Sequence, residues 1–130
     1  MKKALWFIVA AIALTYFPSK ATLAQNLNCP TLDEALVPLE HPVRTRLNQY
    51  YRAQGHSGEV SNIVRVGNYG AAYLWNADAG SATPLAIEFT GESFQQTAIA
   101  SSSVAEVLKS WGASADVAQC TLQLLAESGI

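Results

Sequence analysis

The chain is 130 residues long, with 8 basic and 10 acidic side chains, a formal net charge of −2 and 50% hydrophobic residues. A chain of this size is expected to form one domain, burying roughly two-thirds of the surface that its unfolded form would expose. Its slight acidity leaves no electrostatic footprint for nucleic acid or anionic lipid, so neither is expected as a partner.

The first residues read as a secretory signal peptide. Met1-Lys2-Lys3 supplies a charged start, residues 4–17 are apolar apart from Thr15, and Ala24 offers a small residue for cleavage. As a helix this 14-residue run reaches about 21 Å, short of the roughly 30 Å hydrocarbon core, so cleavage is expected rather than a retained anchor or stable membrane span. Removing residues 1–24 takes Lys2, Lys3 and Lys20, leaving 5 basic against 10 acidic residues over 106, a net charge of −5. The expected location is the periplasm or the extracellular space, with residues 25–130 as a single domain. The only two cysteines, Cys29 and Cys120, stand near the ends of that domain. In an oxidising compartment they read as one disulfide. A lipidated Cys29 is the rival reading, but Asn28 stands where a lipobox carries Gly, Ala or Ser.

In chain order, Thr31-Leu32-Asp33-Glu34 matches a capping box, and Pro38 stops that helix early. Residues 42–54 predict an amphipathic helix with Pro42 at its first position and Gly55 after its end. Val43, Leu47, Tyr50 and Tyr51 form its apolar stripe, and Arg44, Arg46, Asn48, Gln49 and Arg52 form its solvated side. Residues 59–66 predict a strand with Val60, Val64 and Val66 on one face and Ile63 on the other. Gly67-Asn68 is either a bulge or a tight turn, so residues 59–75 make one bent strand or two. Residues 76–83 are rich in turn formers and predict a loop. Strands are expected over residues 85–90 and 93–100, joined at Gly91-Glu92. The first would turn Leu85, Ile87 and Phe89 inward; the second would set Phe94, Gln96, Ala98 and Ala100 against Thr97 and Ile99. Ser103-Val104-Ala105-Glu106 reads as a second capping box opening a helix to Gly112, and Ser114 caps a last helix to about Glu127. The expected fold is α+β: an antiparallel β-meander of three or four strands, with one N-terminal and two C-terminal helices packed on one face.

Signals for chemistry are sparse. His41 and His56 flank the first long helix, and neither lies in a nucleophile motif. No His, Cys or Asp spacing suits a metal, and no cofactor is expected. Glu88 is the one acid placed mid-strand. Tyr69, Tyr73 and Trp75 fall on one side of a strand by the two-residue alternation, forming either core or an exposed binding strip. With Glu88, these aromatics are the candidate ligand- or partner-binding residues.

A helix on a disulfide-stapled meander resembles cystatin architecture. The inhibitory Q-x-V-x-G loop is replaced by Gln96-Thr97-Ala98-Ile99-Ala100, which lacks both Val and Gly and reads as strand. Protease inhibition is therefore not implied. The leading expectation is an exported, non-catalytic domain that binds a protein or small ligand through the open sheet face or the 76–83 loop. Alternatives are a small hydrolase using Glu88, His41 or His56, and a structural envelope component.

Overall fold

A computed structural model describes residues 29–129. Along them run α1 (Leu32–Ala35), α2 (Pro42–Ala53), β1 (Glu59–Val60), β2 (Val64–Val66), β3 (Tyr69–Asn76), β4 (Ser81–Thr90), β5 (Ser93–Ile99), α3 (Val104–Ser110) and α4 (Ala115–Ser128). The expected signal peptide, residues 1–24, lies outside them. The strands make one antiparallel sheet in the order β1-β3-β4-β5, with β2 beside β1 on the same edge of β3. The α+β class, the meander and the placement of helices before and after it are as the sequence predicts.

The helices do not share one face. Val43, Leu47 and Tyr51 of α2 pack with Leu74, Leu85, Ile87 and Phe89 on one side of the sheet. Leu108 of α3 and Leu124 and Leu125 of α4 pack with Ala71 and Ala86 on the other. The reason is legible in the central strands, where Ala71 and Ala72, then Leu85, Ala86 and Ile87, are buried at consecutive positions. A strand covered on both faces reads as a continuous apolar run, not as an alternation. Alanine on the α3/α4 side lets those helices approach closely, while branched and aromatic side chains fill the α2 side.

Several local expectations change. Strand one breaks over residues 61–63, so Val60 and Ile63 join the α2 side while Val64 and Val66 join the other. Residues 76–83 are not a loop throughout: Asn76 pairs with Ser81, leaving a four-residue turn in which Asn76 Oδ1 accepts the Asp78 and Ala79 N–H groups at 3.0 and 3.2 Å. Pro84 is tolerated inside β4 because its carbonyl faces the end of β5, accepting Ala100 N at 2.9 Å. Its nitrogen shares that direction, so the β3 ladder loses no donor. A register shift between Glu88 and Phe89 pairs Phe89 with Phe94 and Glu88 with Gln96. Gln95 is the extra residue, and Phe94 thereby falls on the same face as Ile99 rather than opposite it. Gly67 and Gly91, at φ +67° and +60°, open the two-residue turns after β2 and β4.

The capping predictions fare unequally. Thr31 and Glu34 form the reciprocal box, at 2.9 and 3.3 Å, and α1 ends at Ala35 because Leu36 and Val37 extend along the sheet edge. Ser114 Oγ accepts Val117 N at 3.1 Å. Ser103 occupies its cap position without a side-chain bond, and Glu106 instead pairs with Lys109 at 3.0 Å.

Cys29 and Cys120 are joined by a disulfide, with Cα atoms 5.5 Å apart, fastening the residues before α1 to α4. Two residues of the supposed solvated side of α2 have another task. Asn48 Oδ1 accepts Val60 N at 2.7 Å, and Arg44 Nη1 donates to Val60 O and Ser61 O at 2.8 and 2.7 Å. Together they take up the outer hydrogen-bonding groups of β1. Leu36 and Val37 do the same beside β2. Among the described residues no helix is long and apolar enough to cross a membrane.

Candidate functional site

The aromatic row on β3 is graded from core to surface. Tyr69 packs against the α3/α4 core, and its hydroxyl donates to Trp111 O at 3.3 Å. Tyr73 is half-buried in the same cluster, and its backbone is tied to Ser61 in both directions, at 2.8 and 3.3 Å. Trp75, one step beyond, is 37% exposed. There is no open sheet face for a flat strip, because α2 covers one side and α3 and α4 the other. Tyr69 and Tyr73 are partly buried, and Trp75 is the most exposed of the three.

Trp75 stands where the β3–β4 hairpin outruns its neighbours. β5 pairs with β4 only from Leu85 onward, and β1 contributes just two residues. Glu59 is the cross-strand partner of Trp75, so both side chains leave the same side of the sheet. Glu59, Val60, Ser61 and Trp75 line a cleft of about 410 Å³. Among the described residues no basic side chain lines it. An indole beside a carboxylate suits a cationic group, which is drawn to the ring face and to the acid together. Neither Glu59 nor Ser61 stood out in the sequence; finding them required the β1–β3 register.

The remaining candidates do not converge. Glu88 is half-buried and accepts from Gln96 Nε2 at 2.6 Å, on the face that carries Tyr69. His41 caps α2, its Nδ1 accepting Val43 N at 3.1 Å, and lines a separate cleft of about 340 Å³ with Glu34 and Arg65. His56 sits edge-on to Tyr51, with ring centroids 5.8 Å apart. Both histidines therefore flank a helix on the sheet face opposite Glu88. Among the described residues no three or more His, Cys, Asp or Glu side chains gather as metal ligands.

One buried phenol carries an electrostatic signature. Tyr51 and Thr97 hydroxyls lie 2.7 Å apart, and Thr97 Oγ1 donates to Ala86 O at 2.9 Å. With the Thr97 hydrogen so committed, Tyr51 is the donor between them. Burial pushes the Tyr51 phenol up to about 12, with Thr97 lowering it and Tyr50 raising it. The folded chain thus keeps a proton that the unfolded chain sheds near its ordinary value of about 10. This stabilisation is complete below that value and is lost as pH rises towards 12. Denaturant titrations across this window should show a fall on the order of 2 kcal/mol, shallower in Tyr51→Phe. Equal slopes in the two proteins would contradict the assignment.

No family model, curated protein or solved structure matches the chain.

Proposed function

We propose that the chain is an exported, non-catalytic binding domain whose Trp75 cleft receives a positively charged group of a protein or small ligand. The observation that carries this reading is the exposed indole of Trp75 at the end of a partly buried aromatic row, cross-strand from Glu59. A volume of about 410 Å³ suits a side chain or a compact ligand. The net charge of −5 over residues 25–130 favours the approach of a basic partner. Export is supported by the signal-peptide pattern and the Cys29–Cys120 disulfide. No observation favours the hydrolase alternative, since Glu88 and the two histidines lie on opposite faces.

Titration with tetramethylammonium and with a short lysine peptide, followed by isothermal calorimetry, tests the reading. Trp75→Ala is expected to weaken binding by about tenfold, a loss of roughly 1.4 kcal/mol, while its thermal midpoint stays close to that of the parent. Glu59→Gln should weaken it in the same direction. Binding that is absent, or indifferent to both changes, would sink the proposal and leave the structural envelope role.

A further inference from the structure

The cleft of about 340 Å³ beside β2 carries charges of both signs. Glu34 of α1, His41 at the α2 cap and Arg65 of β2 all line it. Each is held by bonds that engage only part of its polar head. Glu34 Oε1 accepts Thr31 N at 2.9 Å. His41 Nδ1 accepts Val43 N at 3.1 Å, which puts the proton of the neutral ring on Nε2. Arg65 donates through Nε to Gly67 O at 2.8 Å and through Nη1 to Gly91 O at 3.3 Å. Among the described residues Glu34 Oε2 and Arg65 Nη2 have no hydrogen-bond partner. Glu34 and Arg65 are ion-paired neither with each other nor with any other described side chain.

We infer that this cleft binds a compact aliphatic zwitterion, a free amino acid or a short peptide, with its ammonium at Glu34 and its carboxylate at Arg65 and the His41 Nε2–H. A plain anion drawn to Arg65 is repelled by Glu34, and a plain cation drawn to Glu34 is repelled by Arg65. A molecule that carries both charges satisfies both side chains. The three polar heads are already fixed by the α1 cap, the start of α2 and the two turns, so little ordering accompanies binding. Leu36, Val37 and Pro38 supply the apolar lining that an aliphatic side chain would cover. The volume, at the lower end for small-molecule sites, matches a ligand of that size. None of these residues lines the Trp75 cleft, and the inference is independent of it.

Isothermal calorimetry of the purified, disulfide-bonded protein with leucine, leucyl-leucine, N-acetylleucine and leucinamide provides the test. Leucine or leucyl-leucine is expected to bind, and the two blocked forms, which lack the ammonium or the carboxylate, to bind at least about tenfold more weakly. Binding of leucine assigns a free amino acid as the ligand, and binding of leucyl-leucine alone assigns a peptide. The same order is expected in Trp75→Ala, which removes the other cleft from the comparison. Glu34→Gln should weaken zwitterion binding by about tenfold with the thermal midpoint unchanged, because Gln serves in a capping box as Glu does. His41→Asn, which also keeps a capping side chain, should narrow the preference for leucine over leucinamide. Binding of neither zwitterion at millimolar concentration overturns the inference. So does equal binding of a blocked form in Trp75→Ala, or zwitterion binding indifferent to Glu34→Gln.

Discussion

Replacing both Cys29 and Cys120 with alanine is expected to lower stability by about 4 kcal/mol and the thermal midpoint by about 20 °C. The disulfide spans 91 residues of chain, nearly the whole described domain, and the entropy that such a closed loop removes from the unfolded state grows with its length. The folded state depends on it as well. Cys29 immediately precedes the α1 cap, and the chain beyond α1 supplies Leu36 and Val37 to the outer side of β2. Without the anchor to α4, that cover is free to detach before the rest of the sheet unfolds, leaving the Ile63 carbonyl without its Val37 donor. Alanine is the appropriate replacement because Cys120 is buried and a serine hydroxyl there would add its own desolvation cost. Thermal unfolding of the double variant beside the parent, with intact and reduced masses recorded, makes the comparison. A midpoint within about 5 °C of the parent would mean that the sheet and helices hold the domain without the crosslink.

The disulfide was legible because a chain that opens with a signal-peptide pattern and holds two cysteines leaves one pairing. The helices were legible too: His41-Pro42 at the start of α2 and Ser114 at the start of α4 announce their ends through elementary capping chemistry. What the pattern concealed was which side of the sheet each helix covers. Ala71-Ala72 and Leu85-Ala86-Ile87 are ambiguous when read as one-sided strands, yet follow directly once both faces are dry. The bulge at Gln95 was hidden for another reason. An extra residue in a strand changes no local propensity, but it reverses every face assignment on one side of it. Arg44 and Asn48 looked like solvated helix polarity because their partners are backbone groups remote in sequence. At the candidate site Trp75 was visible as an aromatic, whereas its exposure follows from hairpin length and from how little of β1 and β5 reaches it.

Gly70→Ala is expected to destabilise the fold by more than about 3 kcal/mol, as large an effect as a single methyl group can produce here. Backbone angle is not the cause, since Gly70 has no positive φ. Space is. A Cβ on Gly70 would overlap the Val64 carbonyl oxygen and stand 2.5 Å from Cε2 and 3.1 Å from Cζ of Phe89. The hollow over Gly70 is where the neighbouring strands meet. Arg65 of β2 is the cross-strand partner of Gly70, and its guanidinium lies 4.4 Å from the Phe89 ring centroid on β4. That guanidinium also donates to Gly67 O at 2.8 Å and Gly91 O at 3.3 Å, tying together the two turns at this end of the sheet. The missing side chain is what permits a contact across three strands, an aromatic ring filling the space above a strand glycine. Phe89→Leu combined with Gly70→Ala should recover part of the loss by removing the ring contact. Full recovery is not expected, because the Val64 carbonyl belongs to the β2–β3 ladder and has no room to retreat. Urea midpoints of the two single variants and the double variant measure the coupling. A Gly70→Ala protein within about 1 kcal/mol of the parent would show that β2 can move away from β3, and that the Arg65–Gly70–Phe89 row does not hold this end of the sheet.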